Sequence, residues 1–296
     1  MESLKLWFAA SRPFSFTASV VPVVVGTLFA AQHEFSWWKG LLALVGSVAI
    51  HAGTNLVNDY YDHVKGADNE QSLGPAGFIQ RGAVQPRHVL IAGIVAFAIG
   101  SGLGLVLVAT TSFELFWLGL ASVIAGFLYT GAPAHLAYIA LGEVTVFIFM
   151  GPIMVMGAYF VQTETWSGEA LVLSLPIAFL VTAILQANNI RDIDNDRAVG
   201  KRTLATLIGR QGANWEMYLL LAGAYVSLVI GIIAGAIPWP AALALATAPL
   251  VVPIVRVVSG GGSPRRLNMA LFRTAQLHMR FGAVLAVGLG AWLVID

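Results

Sequence analysis

The sequence predicts an all-α membrane protein with about nine transmembrane helices in one bundle. Three observations lead there. Of its 296 residues, 58% are hydrophobic and 10% are charged, whereas a soluble domain carries about 25% charged residues. The apolar residues fall in continuous runs close to the ~20 residues that a spanning helix needs. Lysine and arginine concentrate in alternate connections between those runs.

The runs cover roughly 15–32, 38–60, 88–110, 114–131, 137–161, 170–190, 215–236, 239–257 and 276–294. A barrel would show alternating segments of about 10 residues instead. Helices also satisfy their own backbone polar groups, as hydrocarbon demands. Gly26, Gly53 and Gly157, in the first, second and fifth runs, are expected to allow close helix packing. Trp37 and Trp38 open the second run as an interface belt. His51 within it reads as a hydrogen-bonded core residue. Glu143 in the fifth run is costly unless paired. The last two runs are separated by Ser259-Gly-Gly-Gly-Ser263-Pro264-Arg-Arg, which reads as a flexible linker with a basic end near anionic head groups. Residues 1–296 are expected to form one integral-membrane domain. Met1 to Pro13 is polar and aromatic, so no cleavable signal peptide is expected. The chain has no cysteine, which excludes disulfides.

Charge sets the expected orientation. With the N-terminus in the cytoplasm, the inside segments hold Lys5, Arg12, Lys65, Arg81, Arg87, Arg191, Arg197, Lys201, Arg202, Arg210, Arg265, Arg266 and Arg273. The outside segments hold Lys39 with Glu34, Glu114, Glu164 and Glu169. This is the positive-inside bias, and it places the tail at Asp296 outside. The long inside connections, about 62–87 and 191–214, become functional candidates.

Two acid-rich segments end the second and sixth runs on that inside face. The first runs Asn55-Leu-Val-Asn58-Asp59-Tyr60-Tyr61-Asp62, with Lys65, Gly66 and Asp68 following. The second runs Asn188-Asn189-Ile-Arg191-Asp192-Ile-Asp194-Asn195-Asp196-Arg197, then Gly200-Lys201-Arg202-Thr203. Side chains four apart share a helical face. Asn58 and Asp62 therefore align, as do Asn188, Asp192 and Asp196, while Asp59 and Asp194 point elsewhere. Gly66 is expected to end its helix and let Asp68 reach back from the loop. Carboxylates near hydrocarbon are expensive and point to function. Two opposed clusters with basic neighbours suit a diphosphate held through Mg2+, which favours hard oxygen ligands. Arg81, Arg191, Lys201 and Arg202 are candidates for the remaining phosphate charge. Tyr60, Tyr61 and Tyr129 could face a cation or an aromatic ring. A plainer reading is solvated helix ends with exposed ion pairs. A reading from another class is an ion-coupled secondary transporter, whose sites lie near the midplane in broken helices.

Asp192-x-x-x-Asp196 and Asn58-x-x-x-Asp62 resemble the paired motifs of the UbiA superfamily of intramembrane prenyltransferases. The late placing of Asp68 is similar to the menaquinone-type branch. So are Tyr129-Thr130-Gly131-Ala132-Pro133, the stretch from Ala140-Leu-Gly142-Glu143 to Gly151-Pro152, and Gly157-Ala-Tyr159-Phe-Val-Gln162. The resemblance implies a central cavity open to the cytoplasmic side of an inner membrane. It implies that Asn58, Asp62, Asp68, Asn188, Asp192 and Asp196 hold magnesium and diphosphate, with Tyr61 and Tyr129 near the substrates. It implies prenyl transfer from a polyprenyl diphosphate to 1,4-dihydroxy-2-naphthoate with loss of carbon dioxide. 4-Hydroxybenzoate or homogentisate is the alternative acceptor, and no nucleic-acid partner is expected. One departure stands out: some relatives carry a lysine after the Tyr129 segment, where this chain has His135 and no lysine.

Overall fold

In the computed structural model of this chain, residues 2–68 and 77–295 are described. Met1, Asp296 and the stretch 69–76 of the first long connection lie outside the described residues. The N-terminal helix α1 (Glu2–Ala10) leads into α2 (Thr17–Ala30), α3 (Trp37–Val64), α4 (Pro86–Thr110) and α5 (Glu114–Leu128). Then come α6 (Gly142–Ile148), a π-helical turn (Phe149–Ile153), α7 (Met154–Thr163) and α8 (Gly168–Ala198). The chain closes with α9 (Leu204–Ile233), a 3-10 stretch (Trp239–Leu250), α10 (Val251–Gly260) and α11 (Pro264–Ile295).

Among the described residues, eight helical segments are long and apolar enough to cross a membrane, and α5 is a shorter apolar helix. These nine match the nine predicted runs one for one. Their boundaries differ in instructive ways. The fifth run opens as a 3-10 turn at Leu136–Tyr138, and Glu143 stands in the first turn of α6 rather than deep in a helix. Pro152 lies inside the π turn that joins α6 to α7; proline cannot donate the backbone bond that a regular helix needs there. The predicted loop 191–214 is largely helical: α8 continues to Ala198 and α9 starts at Leu204, with a kink at Gly209. The predicted flexible linker 258–275 shrinks to residues 261–263, because Pro264 opens α11 at the position where its missing N–H costs nothing.

α8 is the hub of the bundle. Its apolar window is 72% buried, against 22% for α4 at the periphery. Ser167 caps it, accepting a hydrogen bond from the Ala170 N–H at 3.0 Å, and Glu169 complements the N-terminal dipole. Leu173, Ile177, Leu180, Ile190 and Ile193 of α8 join Met217 and Leu221 of α9 and Phe281 and Leu285 of α11 in the main core.

Small residues let neighbouring helices touch, as expected at two of the three glycines. A Cβ on Gly26 would lie 2.3 Å from the Val155 carbonyl oxygen, and one on Gly53 would meet the Phe97 ring at 2.9 Å. Gly157 is different: its nearest neighbour, Leu118, is at an ordinary 3.4 Å. His51 is buried and bonded to Ser19 at 2.9 Å, as a core histidine should be. The two ends of the bundle differ in charge. At one end Lys39 pairs with Glu164 at 3.3 Å and Trp166 donates to Glu114 at 2.9 Å. Both acid motifs lie at the other.

Candidate active site

The first motif ends α3. Lys65 and Gly66 stop the helix, Gly66 in the left-handed region at φ 73°, where glycine is unstrained. The chain then turns back, and the Asp68 N–H donates to the Asp62 carbonyl at 3.1 Å. Burial, followed by the neighbouring Asp62 carboxylate, raises the pKa of Asp68 above the ordinary aspartate value. The second motif is the last stretch of α8. Gly200, at φ 73°, turns the chain so that Lys201 folds back over the motif.

Lys201 joins the two. Its Nζ stands 3.9 Å from Asp62 Oδ2 and 3.8 Å from Asp196 Oδ1. Burial alone would lower this ammonium, but Asp62, Asp196, Asp192 and Asp68 outweigh it and the net shift is upward. Asn195 adds a second tie, donating to the Ala67 carbonyl at 2.8 Å. Asp196 Oδ2 is buried and has no hydrogen-bond partner among the described residues. An orphaned buried carboxylate oxygen is costly unless something cationic or protic meets it.

Arg191 organises the second motif from below. Its side chain is only 3% exposed. Nε donates to Asp192 Oδ1 at 2.7 Å, and Nη2 donates to Asp192 Oδ2 at 2.5 Å and to Asn188 Oδ1 at 2.8 Å. Nη1 donates to Asn268 Oδ1 at 2.8 Å. Arg191 therefore holds two predicted ligands in place rather than pointing freely at a substrate.

A strap covers the first motif. Tyr138 donates its phenol to Asp62 Oδ1 at 2.5 Å. Lys65 Nζ lies 4.0 Å from the Tyr138 ring centre and Lys201 Nζ 5.1 Å from it, both within cation–π reach. Burial and then the Asp62 carboxylate push this phenol above the ordinary tyrosine range, so it remains a donor. The strap is strained on both sides, with His135 at φ 48° and Ala140 at φ 60°. Two backbone bonds fasten it to the α8–α9 connection: Ala140 N–H to the Arg202 carbonyl at 2.7 Å, and Arg202 N–H to the Tyr138 carbonyl at 3.3 Å.

Beneath these groups lies a cavity of about 850 Å³, within the range of small-molecule sites. Asn58, Asp62, Asp68, Asn188, Arg191, Asp192, Asp196, Lys201 and Tyr129 line it, with Arg12 beside them. The far end is lined by Leu42, Leu107, Leu115 and Val161. Leu42 and Asp62 are on one helix, so the cavity runs roughly 30 Å at 1.5 Å per residue. It reaches the surface at the acidic end, where Asp194 is 81% exposed and pairs with Arg210 at 3.1 Å.

Three predicted site residues do not reach it. Tyr61 packs edge-on against Tyr60, Phe127 and His135. Arg81 turns back onto the Gly77 carbonyl at 3.0 Å. The Arg202 side chain is exposed, and its contribution is the backbone clasp on the strap. His135, at the place where some relatives carry a lysine, is not among the residues lining the cavity, and its Nδ1 lies 2.5 Å from the Thr130 carbonyl oxygen. Glu143 is buried and accepts from Asn189 at 2.7 Å while still facing the cavity. The sequence pattern by itself does not mark Tyr138, Lys65, Arg12 or Asn268 as parts of the site. Arg12 pairs with buried Asp59 and sits just ahead of the first apolar run, which was its one visible signal.

Apolar helices of membrane-spanning length around a long cavity with a charged, acid-rich mouth define an integral-membrane protein with an internal binding cavity. Residues 19–293 match the UbiA prenyltransferase family, and the chain belongs to that family. It is a multi-pass membrane protein. It is 36% identical to the 1,4-dihydroxy-2-naphthoate octaprenyltransferase of Bacillus subtilis (strain 168), over 96% of this chain and 91% of that one. It shares its fold with the apo structure of a UbiA homolog from Aeropyrum pernix K1, at a TM-score of 0.72 and 18% identity, over 93% of this chain and 97% of that one. It also superposes on a UbiA homolog from Archaeoglobus fulgidus bound to GPP and Mg2+, at a TM-score of 0.61 and 15% identity, over 95% and 99% of the two chains.

Proposed function

We propose that this chain, as one domain over 1–296, transfers a polyprenyl group from polyprenyl diphosphate to 1,4-dihydroxy-2-naphthoate with decarboxylation, in menaquinone biosynthesis. The observation that carries this reading is the cavity itself: over a total length of roughly 30 Å, one end offers Asn, Asp and Lys side chains and the remainder is lined mainly by apolar ones. A polyprenyl diphosphate has the same two halves. The identity with the Bacillus relative supports the acceptor.

The donor set fits Mg2+. It offers hard carboxylate and amide oxygens, one of them the unpartnered Asp196 Oδ2. Mg2+ commonly takes one or two carboxylates and completes its shell with phosphate and water. Asn58, Asp62, Asp68, Asn188, Asp192 and Asp196 would hold it. Bound magnesium supplies charge neutralisation for the leaving diphosphate. Lys201, between Asp62 and Asp196, adds a fixed positive charge at the same place. Tyr138 orients Asp62 and Arg191 orients Asp192, so both carboxylates are held before substrate arrives. The apolar walls keep water from the allylic cation. Tyr129, facing the cavity, presents an aromatic ring to that cation or to the acceptor. The acidic end faces the cytoplasm of an inner membrane, following the positive-inside bias. The transporter reading has less support, because the clustered acids stand at helix ends while the π turn near the midplane is apolar.

The test is direct. Detergent-purified protein is incubated with 1,4-dihydroxy-2-naphthoate, a polyprenyl diphosphate and magnesium, beside Asp62→Ala and Asp192→Ala. Prenylated, decarboxylated product is expected from the native chain alone, and only with the metal. Product from 4-hydroxybenzoate instead would move the acceptor assignment, and none from any aromatic acceptor would overturn the reading.

A further inference from the structure

Arg191 is buried among four oxygen acceptors, and three of them belong to Asn188 and Asp192 on its own helix. The fourth does not. Asn268 Oδ1 accepts from Arg191 Nη1 at 2.8 Å, and Asn268 belongs to the second turn of α11. Pro264 and Leu271, four positions before and three after it, both line the cavity. They put Asn268 on the face of α11 that looks at the mouth. α11 packs along α8 through Leu267, Leu271 and Ala275 in the same core. It thus offers a rigid post from another part of the fold.

The geometry points to Asn268 as a positioning residue for the metal-and-diphosphate site, an inference that rests on the function proposed above. A guanidinium is a planar fork whose donors have fixed directions. With Nη1 anchored on Asn268, the Nε and Nη2 edge is forced towards Asp192 and Asn188. Without that anchor the plane is free to rotate about its last bonds. Asn188 and Asp192 would then lose the fixed partner that sets their own rotamers. Arg191 would also be left with a buried N–H lacking an acceptor, a cost that favours its reorientation. Asn268 touches neither substrate nor metal in this scheme; it acts through Arg191. Partners of this outer kind commonly change metal affinity by about tenfold or more when removed.

The test uses Mn2+ as the probe, with inorganic diphosphate, on the full-length protein in detergent. Free Mn2+ is read by electron paramagnetic resonance for the native chain, Asn268→Ala, Asn268→Asp and Asp192→Ala. Asn268→Ala is expected to weaken Mn2+ binding by about tenfold, and Asn268→Asp, which keeps an acceptor at the same length, to restore most of it. In turnover assays the alanine variant should need more Mg2+ for half-maximal rate, with kcat at saturating Mg2+ changed much less. Binding by Asn268→Ala equal to the native chain, with Asp192→Ala still impaired, would overturn the positioning role alone. Equal loss in the alanine and aspartate variants would also overturn it, since the acceptor would then not matter. Unchanged Mn2+ binding in Asp192→Ala would overturn the metal reading of the motif and this inference with it.

Discussion

The Tyr138 phenol donates to Asp62 Oδ1 at 2.5 Å, across a sequence distance of 76 residues. This joins the strap after α5 to the end of α3, and it defines one carboxylate oxygen's surroundings before any ligand binds. A hydrogen bond to a charged acceptor contributes about 1.5–3 kcal/mol. Tyr138→Phe should therefore leave the fold intact and loosen Asp62. The expected result is a rise of up to about tenfold in the Mg2+ needed for half-maximal turnover, measured by metal titration at fixed substrate.

Arg12 and Asp59 form a largely buried pair, with side chains 16% and 4% exposed. Removing one partner strands the other, at a cost of about 3–5 kcal/mol. Arg12→Ala should lower the thermal midpoint in detergent markedly, and Asp59→Asn less so, because the amide still accepts from the guanidinium. Scanning fluorimetry of the purified variants checks the order; the reverse order would refute it.

Two helical glycines, Gly26 on α2 and Gly157 on α7, should respond differently. Alanine favours a helix by about 1 kcal/mol over glycine. At Gly26 a Cβ would lie 2.3 Å from backbone oxygen of Val155, and overpacking of this kind costs about 1–3 kcal/mol. Gly26→Ala is expected to destabilise. Gly157→Ala meets nothing closer than 3.4 Å and should be neutral or slightly stabilising. Thermal midpoints of the two variants decide this.

Gly104 lines the cavity and a Cβ there meets nothing within 4 Å. Gly104→Phe should fill part of the apolar length while leaving the charged mouth unchanged. Turnover with long polyprenyl donors should fall more than turnover with geranyl diphosphate. The ratio of kcat/KM for the two donors is the measurement, and an unchanged ratio would refute the placement of the tail.

Ser263 is exposed in the short α10–α11 turn, and the chain has no cysteine. Ser263→Cys gives a single reporter of orientation. An impermeant thiol reagent should label it only from the cytoplasmic side, and labelling from outside would reverse the assigned orientation.

Much of this protein could be read without its structure. The nine runs, the positions of the two acid motifs at one end, and the alignment of Asn188, Asp192 and Asp196 all follow from local rules, because hydrophobic length and helical periodicity need no tertiary information. Gly66 marked the end of α3 for the same reason. Local signals are ambiguous in the two polar connections. Polar residues after Asn188 and around Arg265 suggested loops, yet both stretches are helical because their apolar sides pack into the core.

What each cation does was decided only by the tertiary structure. Arg81, Arg191, Lys201 and Arg202 carry the same charge in the sequence. In the fold Lys201 bridges both motifs, Arg191 is buried as a brace, Arg202 clasps the strap by its backbone, and Arg81 turns away. Tyr138, Asn268 and Arg12 are distant in sequence from the residues they touch, and no periodicity links them. Composition and spacing determined the class of protein and its candidate ligands, since those depend on short-range geometry. The partners that hold the ligands in place come from long-range packing, which positions side chains through contacts between helices far apart in the chain.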